Sequence, residues 1–170
     1  MKKIVFLLCS LTLLADQSNL VVSGFSYHLK SPEVGPSYES VTPGFGYEYI
    51  SEDRNESDWY NAYSAMIISD SYKHAFPFIS YGRGYSLDSI PLSISLDIFA
   101  GYKQILINDS SKSDPISFKG SFYAGILPSI HYTIDRFKLN IAYTPEYNFS
   151  YHESEVTLPS LFFISLSMRL

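Results

Sequence analysis

Apolar and polar residues alternate along most of this chain with a period of two, the spacing of a strand that shows a different surface on each side. The clearest run is Leu92–Lys103, with Leu92, Ile94, Leu96 and Ile98 on one face and Ser93, Ser95 and Asp97 on the other. Phe137–Pro145 sets Phe137, Leu139, Ile141 and Tyr143 against Lys138, Asn140, Ala142 and Thr144. Ser160–Leu170 sets Phe162, Ile164, Leu166, Met168 and Leu170 against Ser165, Ser167 and Arg169. Gly44–Ser51 alternates Phe45, Tyr47 and Tyr49 with Gly44, Gly46 and Glu48. Leu20–Leu29 places Phe25, Tyr27 and Leu29 opposite Gly24, Ser26 and His28. Trp59–Ser69, Ala75–Arg83 and Gly120–Thr133 bring the strand candidates to eight, and Pro77 predicts a local break in its ladder because proline has no N–H to donate.

The connections fall into two classes. Lys30–Pro43, Gln104–Lys119 and Glu146–Pro159 are long and polar, whereas Glu52–Asp58, Gly84–Pro91 and Ile134–Arg136 are shorter. Between the third and fourth strands, Met66–Gly82 reads as a hairpin around the polar turn Ser69–His74. Strands of about 9–11 residues suit a tilted crossing of a bilayer, with apolar residues toward lipid and polar ones toward a lumen. The pattern predicts an all-β chain, an eight-stranded antiparallel transmembrane β-barrel of the outer-membrane type, occupying residues 20–170 as one domain. Short turns then face the periplasm and long loops the exterior. His28 and the Ser69–His74 turn fall at the same outer end.

The amino terminus favours this reading over a soluble barrel of lipocalin type. Lys2 and Lys3 precede a short apolar run, Ile4–Leu14, and then Ala15, so residues 1–15 read as a signal peptide too short to span a membrane. No later segment is a continuous apolar run long enough for a transmembrane helix. The lone cysteine, Cys9, lies inside the leader, so the predicted mature chain holds together without disulfides. Composition agrees: 15 Tyr and 12 Phe suit membrane–water interfaces, and a net charge of −5 argues against a nucleic-acid partner. The expected location is the Gram-negative outer membrane after leader removal, as a monomer.

Three residues at the outer end can carry chemistry. His28 points inward and can act as a general base, Ser71 offers a hydroxyl, and Asp70 can orient an imidazole. Asp-Ser also occurs at Asp88-Ser89 and Asp109-Ser110 and is ordinary turn chemistry, so Asp70-Ser71 has a structural reading as well. Ser129 and His131 share a face of one late strand, as a lipid A deacylase would need. His74 and His152 read as loop residues. No His/Cys/Asp spacing supports a metal site, and no cofactor is expected.

Several segments resemble the PagP-type lipid A palmitoyltransferases, in the right order over most of the predicted mature chain: Phe25–Leu29 (FSYHL), Pro43–Tyr47 (PGFGY), Ser69–Gly82 (SDSYKHAFPFISYG), Gly125–Tyr132 (GILPSIHY) and Ala142–Pro145 (AYTP). The resemblance implies an outer-membrane acyltransferase that moves a palmitoyl chain from a glycerophospholipid to lipid A, with His28, Asp70 and Ser71 catalytic. It implies that Gly82 forms the floor of an acyl pocket, and that Pro128 and Pro145 mark lateral openings through which lipid enters. The chain departs from the family in lacking room for an amphipathic helix before the first strand. The alternative is a non-catalytic small outer-membrane barrel with a structural or loop-mediated binding role. An apolar, detergent-accessible upper lumen would favour the enzyme, and a plugged polar network the alternative.

Overall fold

The computed structural model describes residues 17–29, 37–52, 58–87, 89–108, 116–151, 154–158 and 160–170. The expected leader therefore lies outside the described residues, as do His152 and the Asp109-Ser110 pair. Ten strands run in chain order: β1 Gln17–His28, β2 Val41–Glu52, β3 Trp59–Ser69, β4 Ala75–Leu87, β5 Leu92–Asn108, β6 Ile116–Ile134, β7 Phe137–Thr144, β8 Tyr147–Tyr151, β9 Ser154–Leu158 and β10 Leu161–Arg169. Eight of them close a barrel in the order β1-β10-β7-β6-β5-β4-β3-β2, and β8 and β9 form a separate hairpin. All pairings are antiparallel. The fold is the expected outer-membrane-type barrel. The hairpin is a correction: the segment between β7 and β10 read as plain loop.

The alternation fixes which rows face the lumen. Outward positions carry Leu20, Val22, Phe25 and Tyr27 on β1, and Ile94, Leu96 and Ile98 on β5, all exposed. A soluble protein would not leave so many large apolar side chains uncovered, whereas a bilayer covers them. One detail was hidden in β1. Its register shifts between Ser23 and Phe25 against both neighbours, so a bulge at Gly24 swaps the parity of the strand. Asn19, Val21 and Ser23 face inward below the bulge and Ser26 above it, and all four are buried. Pro77 breaks less than expected. Its ladder to β3 is continuous, and pairing to β5 begins one residue later, at Phe78 opposite Gly101.

The lumen is filled in two layers. Toward the termini it is polar. Glu48 Oε2 accepts hydrogen bonds from Lys138 Nζ at 2.6 Å and Asn19 Nδ2 at 2.6 Å. The Ser95 hydroxyl lies 2.8 Å from Asp97 Oδ2 and 2.9 Å from His131 Nε2, and its single proton serves one of them at a time. His131 Nδ1 donates to Asn140 at 2.8 Å, and Asn140 Nδ2 donates to Ser167 at 2.8 Å. Toward the outer end the filling is apolar. Ile68, Phe76 and Phe99 are buried against Met66, Phe78, Tyr123, Leu127 and Phe163. Edge-to-face ring contacts link Phe99 to Phe76 and to Tyr123.

Candidate functional site

The hairpin turn between β3 and β4 is built on Asp70. Its Oδ1 accepts backbone hydrogen bonds from Tyr72 and His74, both at 2.9 Å, while its backbone N–H donates to the His74 carbonyl at 2.8 Å. This is the turn use of Asp-x-x anticipated for Asp-Ser pairs. Lys73 adopts a φ of 65° to close it. The turn presents the Ser71 hydroxyl to the end of β1, where His28 Nε2 shares a 2.6 Å hydrogen bond with Ser71 Oγ. Ser26 Oγ lies 3.5 Å from the same hydroxyl. Sequence reasoning expected this convergence of His28 and Ser71 from two elements 43 residues apart, and the barrel brings it about.

Asp70 does not complete a relay. Among the described residues there is no hydrogen bond between Asp70 and His28: His28 Nδ1 and Asp70 Oδ2 are both buried without a partner. Asp70 instead lies 3.9 Å from His74 Nδ1. The His28 ring stacks on Tyr38, with centroids 3.9 Å apart. Tyr38 in turn meets Tyr72, which packs against Phe118. The loop after β1 is tied to the turn twice, by the Glu39 N–H donating to the Ser71 carbonyl at 2.8 Å and by a Lys73–Glu39 ion pair at 2.8 Å. Burial pushes both phenols above the ordinary tyrosine range, against a smaller downward pull on Tyr38 from its hydrogen bond with Tyr72. They stay protonated. Lys103, on the inward row of β5, places its Nζ 5.9 Å from the Phe76 ring centre. Tyr38, Glu39, Tyr72 and Lys103 were not singled out in the sequence. Isolated aromatic or charged loop residues carry no periodic signal, and only closure of the barrel sets them around His28.

The other candidate residues lie elsewhere. Gly82 faces inward and is buried, and a Cβ there would land on the Asp97 carboxylate. Its neighbour in the lumen is therefore a polar group. Pro128 marks a real discontinuity: the β6–β7 ladder runs from Ile134 up to Ser129 opposite Ala142 and stops there, while β6 continues to Ile116 paired to β5 alone. Pro145 follows the last residue of β7. Ser129 and His131 are both buried, but Ser129 donates to Asp97 and His131 is engaged by Ser95 and Asn140, so they belong to the polar layer. Among the described residues no group of His, Cys, Asp and Glu is arranged to hold a metal ion.

No protein-family model matches the chain, and no curated protein matches it. Solved structures do. The attachment invasion locus protein of Yersinia pestis, Ail, is 11% identical with a TM-score of 0.53, covering 92% of this chain and 100% of that one. The same protein in complex with the heparin analogue sucrose octasulfate is 13% identical with a TM-score of 0.49, covering 91% and 99%. This chain is thus a small outer-membrane-type β-barrel. The expectation of an acyltransferase is corrected. The matching barrel is an attachment invasion protein rather than an acyltransferase, and aromatic side chains occupy the upper lumen an acyl chain would need.

Proposed function

We propose that the protein is a non-catalytic barrel of the outer membrane whose outer end is a loop-built binding surface. The observation that carries the reading is the tie of the β1–β2 loop to the β3–β4 turn above a plugged lumen. His28, Asp70 and Ser71 act there as a latch: Asp70 shapes the turn, and His28 and Ser71 hold it to the end of β1. The latch presents Tyr38, Tyr72, Glu39 and Lys73 as a fixed patch. Tyrosines with few rotatable bonds beside paired charges suit recognition of a macromolecule. Lipid A and glycerophospholipid enter this reading as the surrounding bilayer and not as substrates. The similar barrel of Yersinia pestis is named for attachment and invasion, which makes adhesion the natural readout.

Two measurements test the proposal. Lipid A from cells with and without the chain should show the same mass. An added palmitoyl-sized mass that disappears with Ser71→Ala would overturn the non-catalytic reading. Cells displaying the chain should adhere to cultured epithelial cells several-fold better than cells displaying the Tyr38→Ala/Tyr72→Ala/Lys73→Glu variant at equal surface level. Equal adhesion would overturn the role of the patch.

A further inference from the structure

Two arginines face each other across neighbouring strands at the mouth of the barrel nearer the termini. Arg136 closes the turn from β6 into β7, and Arg169 ends β10. The β7–β10 ladder pairs Lys138 with Ser167 and Phe137 with Met168. One step further, the Arg169 N–H donates to the Arg136 carbonyl at 2.7 Å, which holds the two residues opposite each other. Lys138 and Ser167 are buried on the inward rows, and alternation puts Arg136 and Arg169 on the same lumen-facing side. Arg136, Lys138 and Arg169 all line one cavity of about 160 Å³. Like charges directly opposite on adjacent strands destabilise the pair.

The charges of this wall are unevenly matched. Lys138 has its counter-ion, because its Nζ donates to Glu48 at 2.6 Å. Among the described residues, neither the Arg136 nor the Arg169 guanidinium takes part in a hydrogen bond, an ion pair or a ring contact. Asp135, beside Arg136 in the turn, lines the same cavity and forms no ion pair with either. The other acids of the cavity, Glu52 and Asp58, stand at the end of β2 and just before β3, and each is engaged in an interaction of its own. Strand β1 separates their wall from β10.

We infer that Arg136 and Arg169 form a binding site for a soluble oxyanion, with phosphate as the fitting group. A guanidinium presents paired donors in the geometry of two phosphate oxygens. Two opposed guanidinium groups hold one phosphate between them, and its charge cancels their repulsion. Lys138 adds to the positive field of the same wall. The cavity is far larger than the roughly 10–15 Å³ that one water needs. The source of the ligand follows from the side it binds: the arginines face the lumen, so the anion arrives from water at this mouth and not as a headgroup from the lipid-facing wall.

Isothermal titration calorimetry of inorganic phosphate into the purified barrel, in micelles of an uncharged detergent at constant ionic strength, tests the site. The wild type should bind phosphate, and Arg136→Gln/Arg169→Gln should weaken binding at least ten-fold while still migrating as a folded, heat-modifiable barrel. Lys119→Gln, which removes an exposed charge toward the other end of β6, should leave binding unchanged. No binding by the wild type, or equal binding by the wild type and the double variant, would overturn the site. Phosphatidylglycerol added to the micelles should not displace phosphate; displacement would overturn the soluble source. If the double variant fails to fold, the urea midpoint of Arg169→Gln carries the test. Phosphate should raise the midpoint of the wild type, and Arg169→Gln should gain less from it. An equal gain would also overturn the site.

Discussion

Gly82 shows how one absent side chain decides the character of the lumen. Its missing Cβ makes room for the Asp97 carboxylate, and a methyl group placed there must push Asp97 out of its hydrogen bonds to Ser95 and Ser129. Overpacking of this kind costs about 1–3 kcal/mol. Gly82→Ala should therefore lower the urea midpoint of the barrel in micelles, and adding Asp97→Ser should recover part of the loss. If Gly82 instead bordered an open pocket, Gly82→Ala would leave the midpoint where it was. At this scale the sequence is a good guide to which residues meet at the rim, since the strand order alone puts His28 and Ser71 at the same end of the barrel. It was a poor guide to their bonding. Nothing in the order of residues says that Asp70 spends its Oδ1 on its own turn, or that Tyr38 covers the face of His28.

At the scale of elements, the eight barrel strands follow from the alternation, and their ends shift by a few residues. Two features did not follow. The bulge at Gly24 reverses the inward row of β1, because one extra residue costs little at a glycine and leaves no mark in composition. The β8–β9 hairpin lies in a stretch whose polar residues read as loop. Pro128 did carry its message. Proline offers no N–H to a ladder, and the β6–β7 pairing ends beside it. Pro128→Ala restores a donor and should extend the pairing, seen as slower hydrogen exchange at the amides of Ile126, Leu127 and Tyr143. Unchanged exchange would mean that the loop beyond Pro145, and not the proline, holds the seam open. Tyr147, whose hydroxyl accepts from the Ile126 N–H at 3.4 Å, is the residue of that loop to examine next.

On the scale of the whole molecule, the barrel is braced across its interior. Lys138 and Glu48 come from strands 90 residues apart in the chain, and both side chains are largely buried. Removing one partner of such a pair leaves a charge uncompensated and costs about 3–5 kcal/mol. Glu48→Gln should lower the urea midpoint strongly, and Glu48→Gln/Lys138→Met should regain most of it. Equal midpoints for wild type and Glu48→Gln would show that water in the mouth nearer the termini already solvates Lys138. That mouth is a cavity of about 160 Å³ lined by Lys138, Asn19, Tyr60 and Arg169 among others, so the competition is a real one.

By itself the sequence determined the class of fold and, except below the bulge in β1, the side of each strand that meets lipid. Both follow from a period of two repeated over eight segments, a local pattern that needs no knowledge of distant contacts. It also placed His28 and Ser71 at one end, because antiparallel strands return to the same surface at every second connection. Tertiary structure alone decided what fills the barrel and what the rim residues do. Whether a lumen is open or plugged depends on how side chains from eight strands interdigitate. Phe76 and Phe99 close the upper layer through the side chains that face them, and Asp97 closes the lower one through the space that Gly82 leaves. Those contacts join residues far apart in the chain, and no window along the sequence contains them.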